Sequence, residues 1–163
     1  MALFGSTRDI TTFKYMTREV MENIISTLCG YYKIVLTDTP TNTYGEALNK
    51  TYIGPVLLNC LIQRGDFEFV QDDFGPDNTR QMEFRFFKDH LIQANVFPEV
   101  GDIIMYNEYY FSVDVVSENQ FILGKDNQYA YQPGLENFGS SYAVIIKAHQ
   151  TSSDRLGIVQ NRL

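Results

Sequence analysis

Chemistry in a protein is usually carried by a nucleophile beside a base, by clustered metal ligands or by a glycine-rich phosphate loop. This sequence of 163 residues offers only fragments of each. His90 and His149 are the two imidazoles, and neither has a second His or a Cys at metal-ligand spacing, so both read as structural side chains. Cys29 and Cys60 stand inside apolar segments, equally without ligand partners, and read as reduced core residues. Asp72, Asp73 and Asp77 superficially resemble a calcium loop, but the alternating oxygen ligands and the terminal Glu of that motif are missing, which leaves a solvated turn. The glycines form neither Gly-x-Gly-x-x-Gly nor a Gly-Lys-Ser/Thr element. Eleven tyrosines could stack on sugars or bases, yet no basic residues are interleaved with them, and strand packing or subunit contact accounts for them better. The sequence therefore predicts no enzyme, no cofactor and no metal.

Charge narrows the partners. The net charge is -7, and it is regional. Residues 1–63 balance five basic residues with five acidic ones; residues 64–137 set five basic residues against fourteen acidic ones, a net charge of -9. The remaining residues carry +2. Gripping phosphate needs a basic patch, which this distribution does not supply. No apolar run reaches the roughly 18 residues that cross a bilayer, and the opening residues lack the basic stretch and apolar run of a secretory signal. A soluble chain that stays off membranes is expected.

The elements that must position these residues are partly legible. The length matches one domain, and residues 1–16 show no clean period and read as an N-terminal arm. Thr17 can cap a helix over 17–29, with Glu19 and Glu22 in its first turns and Gly30 beyond its end. Val20, Ile24 and Leu28 form its apolar stripe, flanked by Met21 and Ile25, and such a stripe is expected to pack onto the domain core. A β-rich core over 31–148 follows. Tyr31–Leu36 and Tyr52–Ile62 read as strands, with Pro55 placing its segment on an edge or bulge. Met82, Phe84 and Phe86 alternate with polar residues, as a strand with one wet face does. Residues 71–79 read as a turn-rich loop, and 89–96 as a short helical turn. Residues 103–116 form a hairpin turning near Asn107 and Glu108, with Tyr109, Phe111, Val113 and Val115 on one face. A turn at Ser117–Asn119 leads to a third short strand at 120–124. Residues 125–141 form a long loop, Tyr142–Ala148 closes the sheet, and 149–163 form a C-terminal tail. The fold class expected is mainly β with one or two short helices, a small, partly closed β-barrel behind an amphipathic N-terminal helix.

Several segments resemble the neck proteins of T-even-like myoviruses, closest to those of cyanobacterial phages. They are Ala2–Ile10, Tyr52–Ile62, Asp73–Asp77, Asn95–Tyr106, Pro133–Glu136 and Gln160–Leu163, and the likeness rests on the ordered set. The resemblance implies a structural virion protein at the head–tail junction, assembled in the host bacterial cytoplasm. It implies a homo-oligomeric, hexameric ring that closes the DNA exit of the filled head and offers a platform to the contractile tail. Its partners would be its own copies, other connector proteins on the portal side, a tail terminator on the tail side, and passing DNA without specific binding. A tail terminator or completion subunit, or a non-viral peptide- or sugar-binding module, are the alternative readings. Arm, loop and tail would embrace neighbours, which makes Leu3, Phe4 and Arg8, Tyr129 and Tyr131, and Arg155 and Arg162 candidate interface residues. Asp72, Asp73 and Asp77 are candidates for a negative channel wall, which would repel phosphate and let DNA slide.

Overall fold

A computed structural model of the chain describes residues 7–40, 42–44, 47, 50–72, 75–121 and 141–152. Its first element is helix α1, Thr7–Glu19, which runs straight on into a π-helical segment at Val20–Ile25. The helix therefore occupies most of what reads as an arm in the sequence. The apolar repeat of Val20 and Ile24 extends backwards through Met16 and Phe13, and only the intervening threonines and charges mask it. The helix also ends sooner than 29. Ser26 adopts a left-handed conformation with φ of 47° and sends its N–H to the Met21 carbonyl at 3.0 Å, the terminating role the sequence assigned to Gly30. Leu28 and Cys29 are thereby released to strand β1, Leu28–Ile34.

Six further strands follow: β2 (Tyr52–Asn59), β3 (Leu61–Asp72), β4 (Gly75–Phe87), β5 (Ile103–Tyr106), β6 (Tyr109–Phe121) and β7 (Ser141–Thr151), with the short helix α2 (Lys88–Gln93) between β4 and β5. They form one antiparallel sheet in the order β2-β1-β5-β6-β7-β4-β3. The two end strands are consecutive in sequence, separated by Cys60 alone, so the sheet curls until its first and last strands meet at one residue. Cys60 seals the meeting point by donating its N–H to the Thr27 carbonyl at 2.9 Å. Strands β2 and β3 are not paired in the sheet order, so the barrel is not closed. Pro55 lies on the end strand β2, where a missing donor is tolerated, as its type requires. Beside it, Gly54 (φ +142°) has no room for a side chain, because a Cβ there would stand 2.7 Å from the Tyr31 carbonyl oxygen.

Three segments differ from the sequence reading. Within the span 71–79 read as a loop, residues 71–72 and 75–79 are in strands: the β3–β4 ladder continues through Val70–Asp77, Gln71–Pro76 and Asp72–Gly75, so turn-forming residue types are carried inside paired strands. Pro76 is compatible with this because β7 pairs with β4 only from Gln81 onward, leaving no second neighbour to ask for its donor. Strand β6 passes through Ser117–Asn119 without turning, because β7 offers it a continuous partner and the irregular residues are absorbed as register shifts. One such shift, between Val113 and Val115, turns Val115 outward while Phe111 and Val113 stay buried. The hairpin of β5 and β6 does turn at Asn107 and Glu108, whose φ values of 51° and 68° suit a tight two-residue connection.

Inside the curl, Phe84 and Phe86 from β4, Phe111 and Val113 from β6, Ile104 from β5 and Val144 and Ile146 from β7 form a contiguous core. The Phe84 and Phe111 rings meet edge-on at 5.6 Å between centroids. Cys29, Tyr31, Leu58 and Cys60 complete the core at the seam. The opposite face carries a second cluster of Tyr32, Ile103, Met105 and Tyr110.

Candidate assembly surface

The titratable groups divide into a buried brace and surface pairs. The brace is centred on Asp102, fully buried where the chain enters β5. Its carboxylate accepts the Tyr31 hydroxyl at 2.5 Å, the Ile34 N–H at 2.9 Å and the Glu99 N–H at 2.9 Å, with Lys33 Nζ 3.3 Å away. Burial, and next the hydrogen bond to Asp102, hold the Tyr31 phenol well above its ordinary ionisation range. With every donor aimed inward, the arrangement fastens β1 to β5 and presents no reactive atom to a ligand.

The cysteines, solitary in sequence, are neighbours in space. Cys29 pairs with Leu58 on β2 and Cys60 follows two residues on, which brings both buried thiols to the seam. The Cys60 thiol beside it, then burial, push Cys29 far above the usual thiol range, so it stays protonated and unreactive. His149 stands with Nδ1 2.7 Å and 2.9 Å from the two oxygens of Asp114, an exposed pair on the β6–β7 ladder. Among the described residues no three His, Cys, Asp or Glu side chains are gathered as metal ligands would be.

What the surface does present is apolar. Only Met21 of the helical segment at 20–25 is buried. Phe13, Met16, Val20 and Ile24 are 53, 56, 40 and 74 % exposed. They recur every three or four residues and so form one stripe along the helix. Of the residues expected to pack onto the domain core, Val20, Ile24 and Leu28 with Met21 and Ile25, Met21 alone is buried and the other four are exposed. The sheet fills its own interior, and the helix is fixed side-on by other groups: Lys14 Nζ lies 3.3 Å from the Asp89 carboxylate, and Glu22 Oε1 lies 2.8 Å from His90 Nε2 on α2. The second contact has ion-pair distance without hydrogen-bond geometry, leaving the His90 Nε2 otherwise unpartnered. Beyond the helix, Leu28 and Leu57 stand exposed on the same face of the β1–β2 ladder.

Of the residues singled out from the sequence, Arg8 lies exposed in the first turns of α1. Asp72 is the last residue of β3 and Asp77 lies opposite Val70 in the β3–β4 ladder. Leu3, Phe4, Asp73, Tyr129, Tyr131, Arg155 and Arg162 lie outside the described residues, as does nearly all of the 125–141 loop. The sequence pattern gives Val20 and Ile24 of this stripe but not its extension through Phe13 and Met16, whose spacing ahead of Val20 is the signal for it.

No family model matches the sequence, and neither does any curated protein. Among solved structures, the fold is similar to a chain of "Virion of native gene transfer agent (GTA) particle". The TM-score is 0.50 at 10% identity, covering 76% of this chain and 93% of that chain. At that identity the likeness defines a shared fold.

Proposed function

We propose that this chain is a structural, non-enzymatic subunit of a virus particle. The observation that carries the reading is the fold likeness to a chain of a gene transfer agent virion, which extends over 93% of that chain. The exposed stripe of Phe13, Met16, Val20 and Ile24 supports it, since a subunit built for assembly leaves apolar surface for its neighbours.

More finely, we assign the subunit to the neck, at the junction of filled head and contractile tail, as a hexameric ring around the DNA exit. Connector proteins would meet it on the portal side and a tail terminator on the tail side. Asp72, Asp73 and Asp77 would then contribute to a negative lumen that lets DNA pass without adhering. Leu3, Phe4, Arg8, Tyr129, Tyr131, Arg155 and Arg162 would contribute to contacts between subunits. The same fold likeness also suits a tail-completion subunit of the same particle.

Position in the particle is the test. Mass spectrometry of purified particles is expected to detect the chain, and electron-microscopy maps are expected to show it as a ring between portal and tail. Particles made without it should accumulate as filled or leaking heads beside unattached tails. Its absence from purified particles would refute the virion reading, and density at the far end of the tail tube would replace the neck by the tail-completion role.

A further inference from the structure

We infer that the helix spanning Thr7–Ile25 is the surface through which one copy of this chain binds a second copy, with Phe13, Met16, Val20 and Ile24 at the centre of the contact. The inference deepens the reading of the chain as an assembling subunit and rests on it.

The orientation of the helix comes first. Met21 is buried on one side, and Lys14–Asp89 and Glu22–His90 hold that same side against α2 at two points eight residues apart along the helix. The stripe is thereby locked outward and cannot be satisfied by its own sheet. Its spacing of three and four residues is the ridge that packs into the groove of another helix or against a flat apolar face.

Charge then selects the occupant. The whole chain carries -7, with -9 in residues 64–137 of the sequence, so two copies repel one another as they approach within the Debye length of about 8 Å. The helix is different: Arg8, Lys14 and Arg18 match Asp9, Glu19 and Glu22, giving no net charge. Lys14 is engaged by Asp89 and Arg18 by Glu22 at 3.0 Å, which leaves the stripe apolar and electrically quiet. Two copies can therefore meet on this stripe without local like-charge repulsion. A lipid surface is a poor match, since interfacial helices bring an excess of Lys and Arg that this one lacks. Leu28, three residues beyond the helix, and Leu57 on the same face of the β1–β2 ladder are further exposed apolar side chains.

The test uses the full chain. Sedimentation of the unmodified protein over a concentration series is expected to show mass rising with concentration. In the double variant Val20→Glu/Ile24→Glu, association should weaken at least about 100-fold, because each new carboxylate would have to be buried unpaired. Both positions are exposed, so circular dichroism and the melting temperature should not change. Equal association of variant and unmodified protein would overturn the inference, as would an unmodified protein that stays monomeric throughout. A second measurement places one thiol on the stripe with Ile24→Cys and adds a short bismaleimide; buried Cys29 and Cys60 are shielded from it. Products that are multiples of this chain are expected, both in solution and in assembled particles. Cross-links in particles that join only a different protein would assign the stripe to that partner and refute the second copy. Absence of the chain from particles would sink the virion reading while the solution arm still decides the interface.

Discussion

Replacing Asp102 should be among the most damaging single changes available in this chain, and the size of the loss follows from its partners. Asp102→Ala removes the acceptor of three donors: the Tyr31 hydroxyl, which is buried, and the N–H groups of Ile34 and Glu99, which are only partly buried and recover some hydration. A buried donor left without an acceptor costs about 1–3 kcal/mol. Lys33 is one-third exposed and recovers water, so it adds little. Against this stands the relief of no longer burying a carboxylate. The net expectation is a loss of about 2–4 kcal/mol, a large share of the stability of a domain this size. Urea unfolding should show the midpoint falling with an unchanged slope. A thermodynamic cycle with Tyr31→Phe isolates the mechanism, because removing the stranded hydroxyl should recover about 1–2 kcal/mol in the Asp102→Ala background. A loss below about 1 kcal/mol, or strict additivity of the two changes, would refute the view that this carboxylate braces β1 against β5.

Three further outcomes are expected. Tyr31, Tyr32 and Tyr52 are all held above their ordinary range, chiefly by burial, so the folded state keeps protons that the unfolded chain gives up. Stability should therefore be full below about pH 10 and decline above it; Tyr31→Phe should flatten that decline in a pH series of thermal melts. Cys29→Ala and Cys60→Ala should each cost about 1–2 kcal/mol, and the double variant less than their sum because the thiols share one cavity; denaturant titration of the three variants checks this. Changing Asp72, Asp73 and Asp77 together to Lys should create strongly salt-dependent DNA binding and slow genome ejection; normal ejection at low salt would remove these acids from the channel wall.

The β character of the chain was legible because its strands alternate: Met82, Phe84 and Phe86 point inward as the pattern requires, and the chain turns at Asn107–Glu108, where a polar pair separates the apolar runs of β5 and β6. Pro55 announced an edge strand for the plain reason that it has no donor. Errors arose where a tertiary partner overrode local preference. Turn-forming types at Gly75, Pro76, Asp77 and Asn78 were recruited into β4 because β3 lay alongside to pair with them, and Ser117–Asn119 were carried through by β7. The helix was half legible, since Phe13 and Met16 are diluted by threonines and lysine, and an exposed stripe has the same spacing as a buried one. Periodicity shows that a helix has an apolar side, while only the surrounding fold shows whether that side is already covered. The brace on Asp102 left no trace in sequence, because Tyr31 and Asp102 are brought together by the β1–β5 ladder.

The place of β7 has a consequence for how the molecule is made. This strand, the last of those described, lies between β6 and β4 at the heart of the sheet and supplies Val144, Ile146 and Ala148 to the core. During synthesis the hairpins of β3–β4 and β5–β6 can form early, each from neighbouring residues, but they cannot be welded together until residues 141–151 arrive. Until then both present an unpaired edge, β4 on one and β6 on the other. A nascent chain cut short before that point holds two open strands and lacks the core side chains of Val144, Ile146 and Ala148, the kind of species that sticks to its neighbours. The sheet is continuous from β2 to β3 only when this keystone strand is in place.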